Sequence, residues 1–379
     1  MCSQCKKSVE TIAAQAGNHR DAFGSVSAPL YFSSNYRHPS LDQAINFDES
    51  KEYTYVRLAT PTRRVLEETL AELEAGQQAF ALSSGMDAVQ LALSILKTGD
   101  ELIFLDDLYG GDFRYFRYFR YLESHMGVSF KQWDGEKLED LVQLLSPKTR
   151  VVWVETPSNP TMKKLDLEAL SKAVHDYNPA ILVMVDNTFY TPIYQQTLTL
   201  GADVVVHSAT KYLSGHNDLL GGVMVVKDQQ LGQEYYEYYI TTGDTMATFD
   251  AWLLLRSLKT LPIRMERHTQ SALKIKAFLE SRPEVTKVLY PGKAGMISFY
   301  LATPELTRQV LDNVKLISFA ESLGGAESLI TVPLYQTHAD VEEAQREKLG
   351  ITPTLLRLSV GLEDPDDLIA DLAQTIDKN

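Results

Sequence analysis

The chain has 379 residues, 44% hydrophobic and 23% charged, and carries a formal net charge of −14. That length gives one or two domains and room for a large core. The acidic balance argues against nucleic acid and anionic membrane as partners, because both need a basic surface, and no apolar run reaches the ~18 residues of a membrane span.

The start, MCSQCKKSVE, has no apolar h-region, so a cytoplasmic protein is expected. Cys2 and Cys5 are the only cysteines and are spaced CxxC. A redox or half-metal site is one reading. A frayed tail is the plainer one, since no further Cys completes a four-thiolate zinc site. Residues 1–54 are polar, aromatic and irregular and read as an extended arm. Residues 55–235 read as an α/β domain. Val65, Leu66, Thr69, Leu70 and Leu73 recur at helical spacing. SSGMDAVQLALSILKTGD follows as a second helix, starting on small polar residues and capped by Gly99. Buried-strand candidates then alternate with helices: ELIFL from Glu101, VVWVE from Val151, ILVMVD from Ile181, DVVVHS from Asp203 and GGVMVV from Gly221. Such continuous Val/Ile runs have both faces covered, which predicts a mostly parallel sheet. Between the first two, RYFRYFRYL places Arg114, Arg117 and Arg120 three apart, near one another on a helix. For Arg117 and Arg120 the plain reading is a solvated or subunit-facing stripe. Residues 236–379 read as a smaller α+β domain, with one long helix over TFDAWLLLRSLKTLPIRMERH, strands VTKVLY, MISFYL and LLRLSV, and a terminal helix PDDLIADLAQTI.

The chemistry concentrates at strand ends. HSATKYLSGHNDLLGG puts Lys211 after a buried strand, between small hydroxyls and glycines. It matches neither GxxxxGK[ST] nor GxGxxG, which removes a P-loop and a dinucleotide fold. A Schiff-base lysine wants partial desolvation and a rigid wall, and a strand end supplies the wall. A structural lysine is the competing reading. ILVMVD ends on Asp186, and a buried carboxylate must face a cation. That cation is either a basic side chain or a protonated pyridine nitrogen, which is what pyridoxal phosphate (PLP) presents. VVWVETPSNP brings Glu155 and Asn159 to a third strand end, at the edge where α/β sheets bind ligands. SSGM offers N–H groups at a helix start for a phosphate, with Gly85 allowing close approach and Ser208 and Thr210 adding hydroxyls. Tyr109, in LYGGDF, is placed to stack on a ring.

These strings, with YVRLATPT, AESLGGAESLI and LRLSVGLED, resemble the Cys/Met-metabolism (trans-sulfuration) family of PLP enzymes over nearly the whole chain. The resemblance implies the aspartate-aminotransferase-like fold (fold type I), with a large mostly parallel-sheet domain and a smaller C-terminal α+β domain. It implies PLP on Lys211, Asp186 at the pyridine nitrogen, Tyr109 on the ring, and Gly85, Met86, Ser208 and Thr210 at the phosphate. Tyr55 and Arg57 would reach the phosphate of a neighbouring subunit in a homotetramer built from two dimers. Arg357, with Ser322 and Asn159, would bind the substrate α-carboxylate, and Glu155 lies beside them. The chain departs from the family pattern at Thr60-Pro61-Thr62, where an Asn is usual, in the short VLYPGKAGMISF, and in TTGDTMATFDAW.

Within the family, Arg114 and Glu321 resemble the residues that cystathionine γ-synthases and γ-lyases keep, Arg114 for a distal carboxylate and Glu321 for the amino group of cysteine. The expected function is γ-replacement on O-acyl-homoserine by cysteine, with sulfide as a further acceptor. The alternative is γ-elimination of cystathionine to cysteine, 2-oxobutanoate and ammonia. Two readings from other classes are a PLP-binding protein without turnover and a metal hydrolase using His207, His216 and Asp218.

Overall fold

In a computed structural model, residues 7–18, 21, 23–46, 52–118 and 121–377 are described. Cys2, Cys5 and Arg120 lie outside them, as does the side chain of Arg117.

Seven strands form the larger sheet: β1 (Gln78–Leu82), β2 (Glu101–Leu105), β3 (Ser129–Trp133), β4 (Thr149–Glu155), β5 (Leu182–Asp186), β6 (Val204–Ser208) and β7 (Gly222–Val226). Their order is β1-β7-β6-β5-β4-β2-β3. β2 to β6 run parallel to one another, and only β7 is reversed, pairing antiparallel with β1 and β6. The Val/Ile runs fill both faces, so β4, β5 and β6 are buried almost throughout. All three expected central strands end where the sequence placed them. β1 and β3 were not expected. QAFAL carries alanines and SFKQW alternates with polar residues, so neither reads as a buried run.

Five strands form the second sheet: β8 (Val285–Leu289), β9 (Met296–Leu301), β10 (Ser318–Phe319), β11 (Leu329–Thr331) and β12 (Leu355–Ser359), in the order β10-β11-β12-β9-β8. It covers its own core of Ile297, Phe299, Ile330, Leu356, Leu358 and Leu372.

Several expectations are corrected. The second helix runs only Gly85–Leu93, and Ser94 ends it by turning its hydroxyl back to the Leu91 carbonyl. Gly99 is left-handed at φ 93°, but in the loop beyond. RYFRY forms a π-helical turn, Arg114–Tyr118, rather than the expected α-helix. The long C-terminal helix is two, Thr248–Leu258 and Leu261–Glu280, broken where Pro262 enters the first turn of the second. The boundary expected after Tyr235 falls inside the helix Gln229–Thr242, whose Tyr235 and Tyr239 both pack into the first core. The arm is also less irregular than expected: helix Val9–Ala14 buries Ile12 and Ala13 against the body of the molecule. No helix of the described residues is long and apolar enough to cross a membrane.

Candidate active site

Where β2, β4, β5 and β6 end, a cleft of about 190 Å³ opens between the two sheets. Its walls hold Gly85, Met86, Tyr109, Glu155, Asn159, Asp186, Ser208, Thr210, Lys211, Glu321, Ser322 and Arg357. The topology explains this gathering. Parallel strands place their carboxyl ends on one edge, so Glu155 and Asp186 stand opposite one another in register, and Ser208 closes the next strand.

Lys211 is a turn beyond β6. Its Nζ donates to Ser322 Oγ at 3.0 Å. Burial, and then the charge of Arg357, bring its pKa down to about 8, against a smaller opposing pull from Glu321. Ser322 is held at φ 88°, an uncommon conformation for a residue with a side chain. Arg357 is buried inside β12. Its Nη1 donates to Asn159 Oδ1 at 3.0 Å and its Nη2 to the Ser322 carbonyl at 3.0 Å, while Nε is buried without a partner. No carboxylate is bridged to it among the described residues, and burial lowers its pKa to about 10. A guanidinium with donors to spare, facing a cleft, suits a carboxylate from outside.

Asp186 is part-buried, and its Oδ1 accepts from Thr188 N–H at 2.8 Å. Burial raises its pKa, and among the described residues no lysine or arginine is bridged to it. An acid in that position has room for a basic ring nitrogen. Ser84 caps the helix Gly85–Leu93 by accepting from Asp87 N–H at 3.1 Å. The helix start meets Ser208 so closely that a β-carbon on Gly85 would stand 3.0 Å from the Ser208 side chain. The first N–H groups of that helix and the hydroxyls of Ser208 and Thr210 therefore surround one small volume, the donor set a phosphate needs. The donor chemistry fits PLP: an anion cradle, an acid without a basic partner, a desolvated lysine and an aromatic ring all line the one cleft.

The remaining expected residues sit differently. Glu155 lines the cleft, but one of its oxygens accepts from Tyr109 N–H at 2.9 Å, so it anchors the loop that carries the aromatic ring. Burial raises its pKa well above the carboxylate range, with Asp186 and Asp112 adding to the shift. Arg114 is not among the residues that line the cleft; it is half-exposed, and its Nη1 meets Asp340 Oδ2 at 2.6 Å. Tyr55 and Arg57 lie outside the cleft. Tyr55 is half-exposed, and Arg57 donates to the Ile240 carbonyl. His207 pairs with the buried Glu74 at 2.6 Å and His216 with the Ser214 carbonyl, and among the described residues no group of three or more His, Cys, Asp or Glu could hold a metal.

Three residues were missed. Asp112 lines the cleft fully buried, with Oδ2 unpartnered. Burial and then the Asp186 carboxylate raise its pKa well above the ordinary carboxylate value. Thr188 donates no signal beyond VDNTF but ties Asp186 to β6, its hydroxyl accepting from Ser208 N–H at 2.9 Å. His338, at 0% exposure, sends Nε2 to the carbonyls of Leu108 (3.2 Å) and Asn159 (3.1 Å), while Nδ1 lies 2.8 Å from the Thr337 hydroxyl. Burial and then Arg357 drive its pKa to about 4, so it is neutral and Nε2–H is the donor.

A family model described as "Cys/Met metabolism PLP-dependent enzyme" matches residues 10–377. The chain is 46% identical over 369 residues to a cystathionine gamma-synthase/O-acetylhomoserine (thiol)-lyase of Bacillus subtilis, covering 97% of this chain and 96% of that one. It is 41% identical over 371 residues to a cystathionine beta-lyase of Lactococcus lactis subsp. cremoris, covering 94% and 95%. A solved cystathionine gamma-lyase from Lactobacillus plantarum, complexed with L-serine, superposes with a TM-score of 0.92 at 35% identity, over 98% of this chain and all of that one. These relatives differ in the reaction they are named for.

Proposed function

The chain belongs to the Cys/Met-metabolism family of PLP-dependent enzymes, and within it we propose that the protein is a cystathionine γ-synthase, joining O-acyl-homoserine to cysteine. The observation that carries cystathionine chemistry is Glu321. It stands in the cleft beside Ser322 and acts electrostatically on Lys211 and Arg357. An acid there meets the ammonium of a second amino-acid substrate, which an enzyme for methionine alone does not need. Synthesis is preferred over cleavage on the 46% identity to the B. subtilis synthase.

PLP, when bound, supplies an electron sink for the substrate α-carbon. Ser208, Thr210 and the N–H groups of Gly85 and Met86 would hold its phosphate, Asp186 would hold a proton at its ring nitrogen, and Tyr109 would lie against its ring. Arg357 and Asn159 would fix the α-carboxylate, with Lys211 close by through Ser322. With its pKa near 8, the Lys211 amine takes a proton at neutral pH and gives it back. It removes the α-proton and then a β-proton. The γ C–O bond breaks and the acyl group leaves as a carboxylate. The cysteine thiolate forms the new C–S bond at the γ-carbon, and Lys211 returns the protons. Glu321 orients the incoming amine. Tyr55 and Arg57, outside this chain's own cleft, complete the phosphate cradle of a neighbouring copy, and dimers so formed pair into a tetramer.

The second reading, cystathionine γ-lyase, uses the same groups and is supported by the L. plantarum structure. A paired assay on the cofactor-loaded protein separates the two: O-acetylhomoserine plus cysteine, followed as cystathionine, against cystathionine alone, followed as 2-oxobutanoate. The proposal requires a clearly higher kcat/KM in the first arm; a higher value in the second makes the protein a lyase.

A further inference from the structure

Strand ends settle the half of the cleft that holds the cofactor. The far end, where a substrate's distal group lies, is bounded by a seam between residues 108–114 and 337–340. The seam has a burial gradient. Innermost, His338 bonds to the Leu108 carbonyl with no exposure. Next, Gly110 backs onto the Thr337 carbonyl so closely that a side chain there would collide with it. Outermost, Arg114 pairs with Asp340, their side chains 45% and 44% exposed. Tyr109 and Thr337 line the cleft, and the charge of Arg114 is felt at the Tyr109 phenol. The ion pair therefore stands at the exposed end of the seam, beside residues that line the cleft.

We propose that Asp340 is a specificity-determining residue: by holding Arg114 it makes any distal carboxylate on the substrate compete for that guanidinium, and so tilts the enzyme toward acyl-homoserines whose acyl group is uncharged. The inference rests on the reading of Arg114 as the partner of a distal carboxylate. Asp340 acts twice. It neutralises the cation that would attract the carboxylate, and a second carboxylate brought to the same guanidinium repels the first. An acetyl group makes no such demand, whereas a succinyl group does. Because an exposed ion pair is worth little, the bias is about two- to fivefold and not absolute.

The test uses the cofactor-loaded tetramer or dimer as purified, in four forms: wild type, Asp340→Asn, Arg114→Ala and the double variant. Dissociation constants for O-succinylhomoserine and O-acetylhomoserine are read from the change in the cofactor's absorption, alongside kcat/KM with cysteine. The binding readout serves whichever reaction dominates. Asp340→Asn is expected to raise the preference for succinyl over acetyl two- to fivefold; Arg114→Ala should lower it and abolish the effect of the first substitution. If Arg114→Ala lowers the preference but Asp340→Asn leaves it unmoved, the role of Asp340 is wrong and that of Arg114 stands. An Asp340→Asn effect that persists without Arg114 also overturns the proposal, since plain repulsion would suffice. If Arg114→Ala changes neither constant, the reading of Arg114 itself falls.

Discussion

The two sides of the cleft are built by different means. On the side of the larger sheet, Glu155, Asp186 and Ser208 are the last residues of β4, β5 and β6, and Lys211 follows within one turn. Their positions are set by a hydrogen-bonded ladder whose central strands are buried. On the side of the smaller sheet, only Arg357 is inside a strand. Glu321, Ser322, Thr337 and His338 come from connecting segments, and they reach the cleft by gripping groups of the other side: Ser322 takes the Lys211 amine, Arg357 takes Asn159, and His338 takes Leu108 and Asn159. The first side is fixed by the fold before any ligand arrives. The second depends on how the sheets meet. Substitutions on the first side should therefore abolish function outright, and those on the second should grade it through substrate affinity.

The sharpest break of that comparison is Lys211→Ala. Turnover should fall by at least about a thousandfold, the upper range for a positioned acid–base group, and the visible band of the lysine-bound cofactor should be missing from the absorption spectrum. A variant that keeps both would end the assignment. Arg357→Lys tests the other side. A lysine keeps the charge and loses the two-pronged geometry, so KM for every amino-acid substrate should rise roughly tenfold to a hundredfold, the worth of charge-assisted hydrogen bonds, with kcat less affected. A loss confined to kcat would move Arg357 from substrate binding to the chemistry. A third measurement sharpens the cofactor side: the rate at which apo-protein captures PLP. The neutral amine is the nucleophile, and burial has lowered the Lys211 pKa to about 8. The rate should climb about tenfold per pH unit below 8 and flatten above it, whereas an ordinary lysine would keep climbing to roughly pH 10.4. A profile still rising at pH 10 would show that Lys211 is not desolvated in the apo site.

The same contrast decides what could be read from the sequence. Val/Ile runs closed by Glu155, Asp186 and Ser208 are local signals, because the residue that matters is adjacent to the pattern that places it. The helix start at Gly85 is local too, with its Ser84 cap. Asp112 was passed over because LYGGDF reads as a flexible loop, and only the fold buries that carboxyl among Glu155 and Asp186. His338 was invisible for the opposite reason: its partners, Leu108 and Asn159, are 230 and 179 residues away. The π-helical turn at Arg114 defeated an argument from α-helical spacing, and its partner Asp340 is 226 residues distant. β1 and β3 escaped because edge-side strands need less apolar sequence than central ones.

His338 joins the two sides, and its substitution gives the smallest effect and the finest test. The neutral imidazole shares one N–H between two buried carbonyls, and one of them belongs to Asn159, the residue that receives the Arg357 guanidinium. Removing the ring in His338→Ala leaves both carbonyls short of that donor, and loosens Tyr109 and Asn159 together, since Leu108 precedes the first. KM should rise about three- to tenfold for every substrate, whatever its distal group, because the α-carboxylate is common to all; the cost of an unmet buried group, about 1–3 kcal/mol, sets the ceiling. Glutamine places an amide N–H near the lost Nε2–H, so His338→Gln should recover most of the affinity. General destabilisation would lower the melting temperature of both variants without separating their KM values. Equal KM values for the alanine variant and the wild type would mean that Arg357 is held by the smaller sheet alone, and that the two sides of the cleft are less dependent on one another than their hydrogen bonds imply.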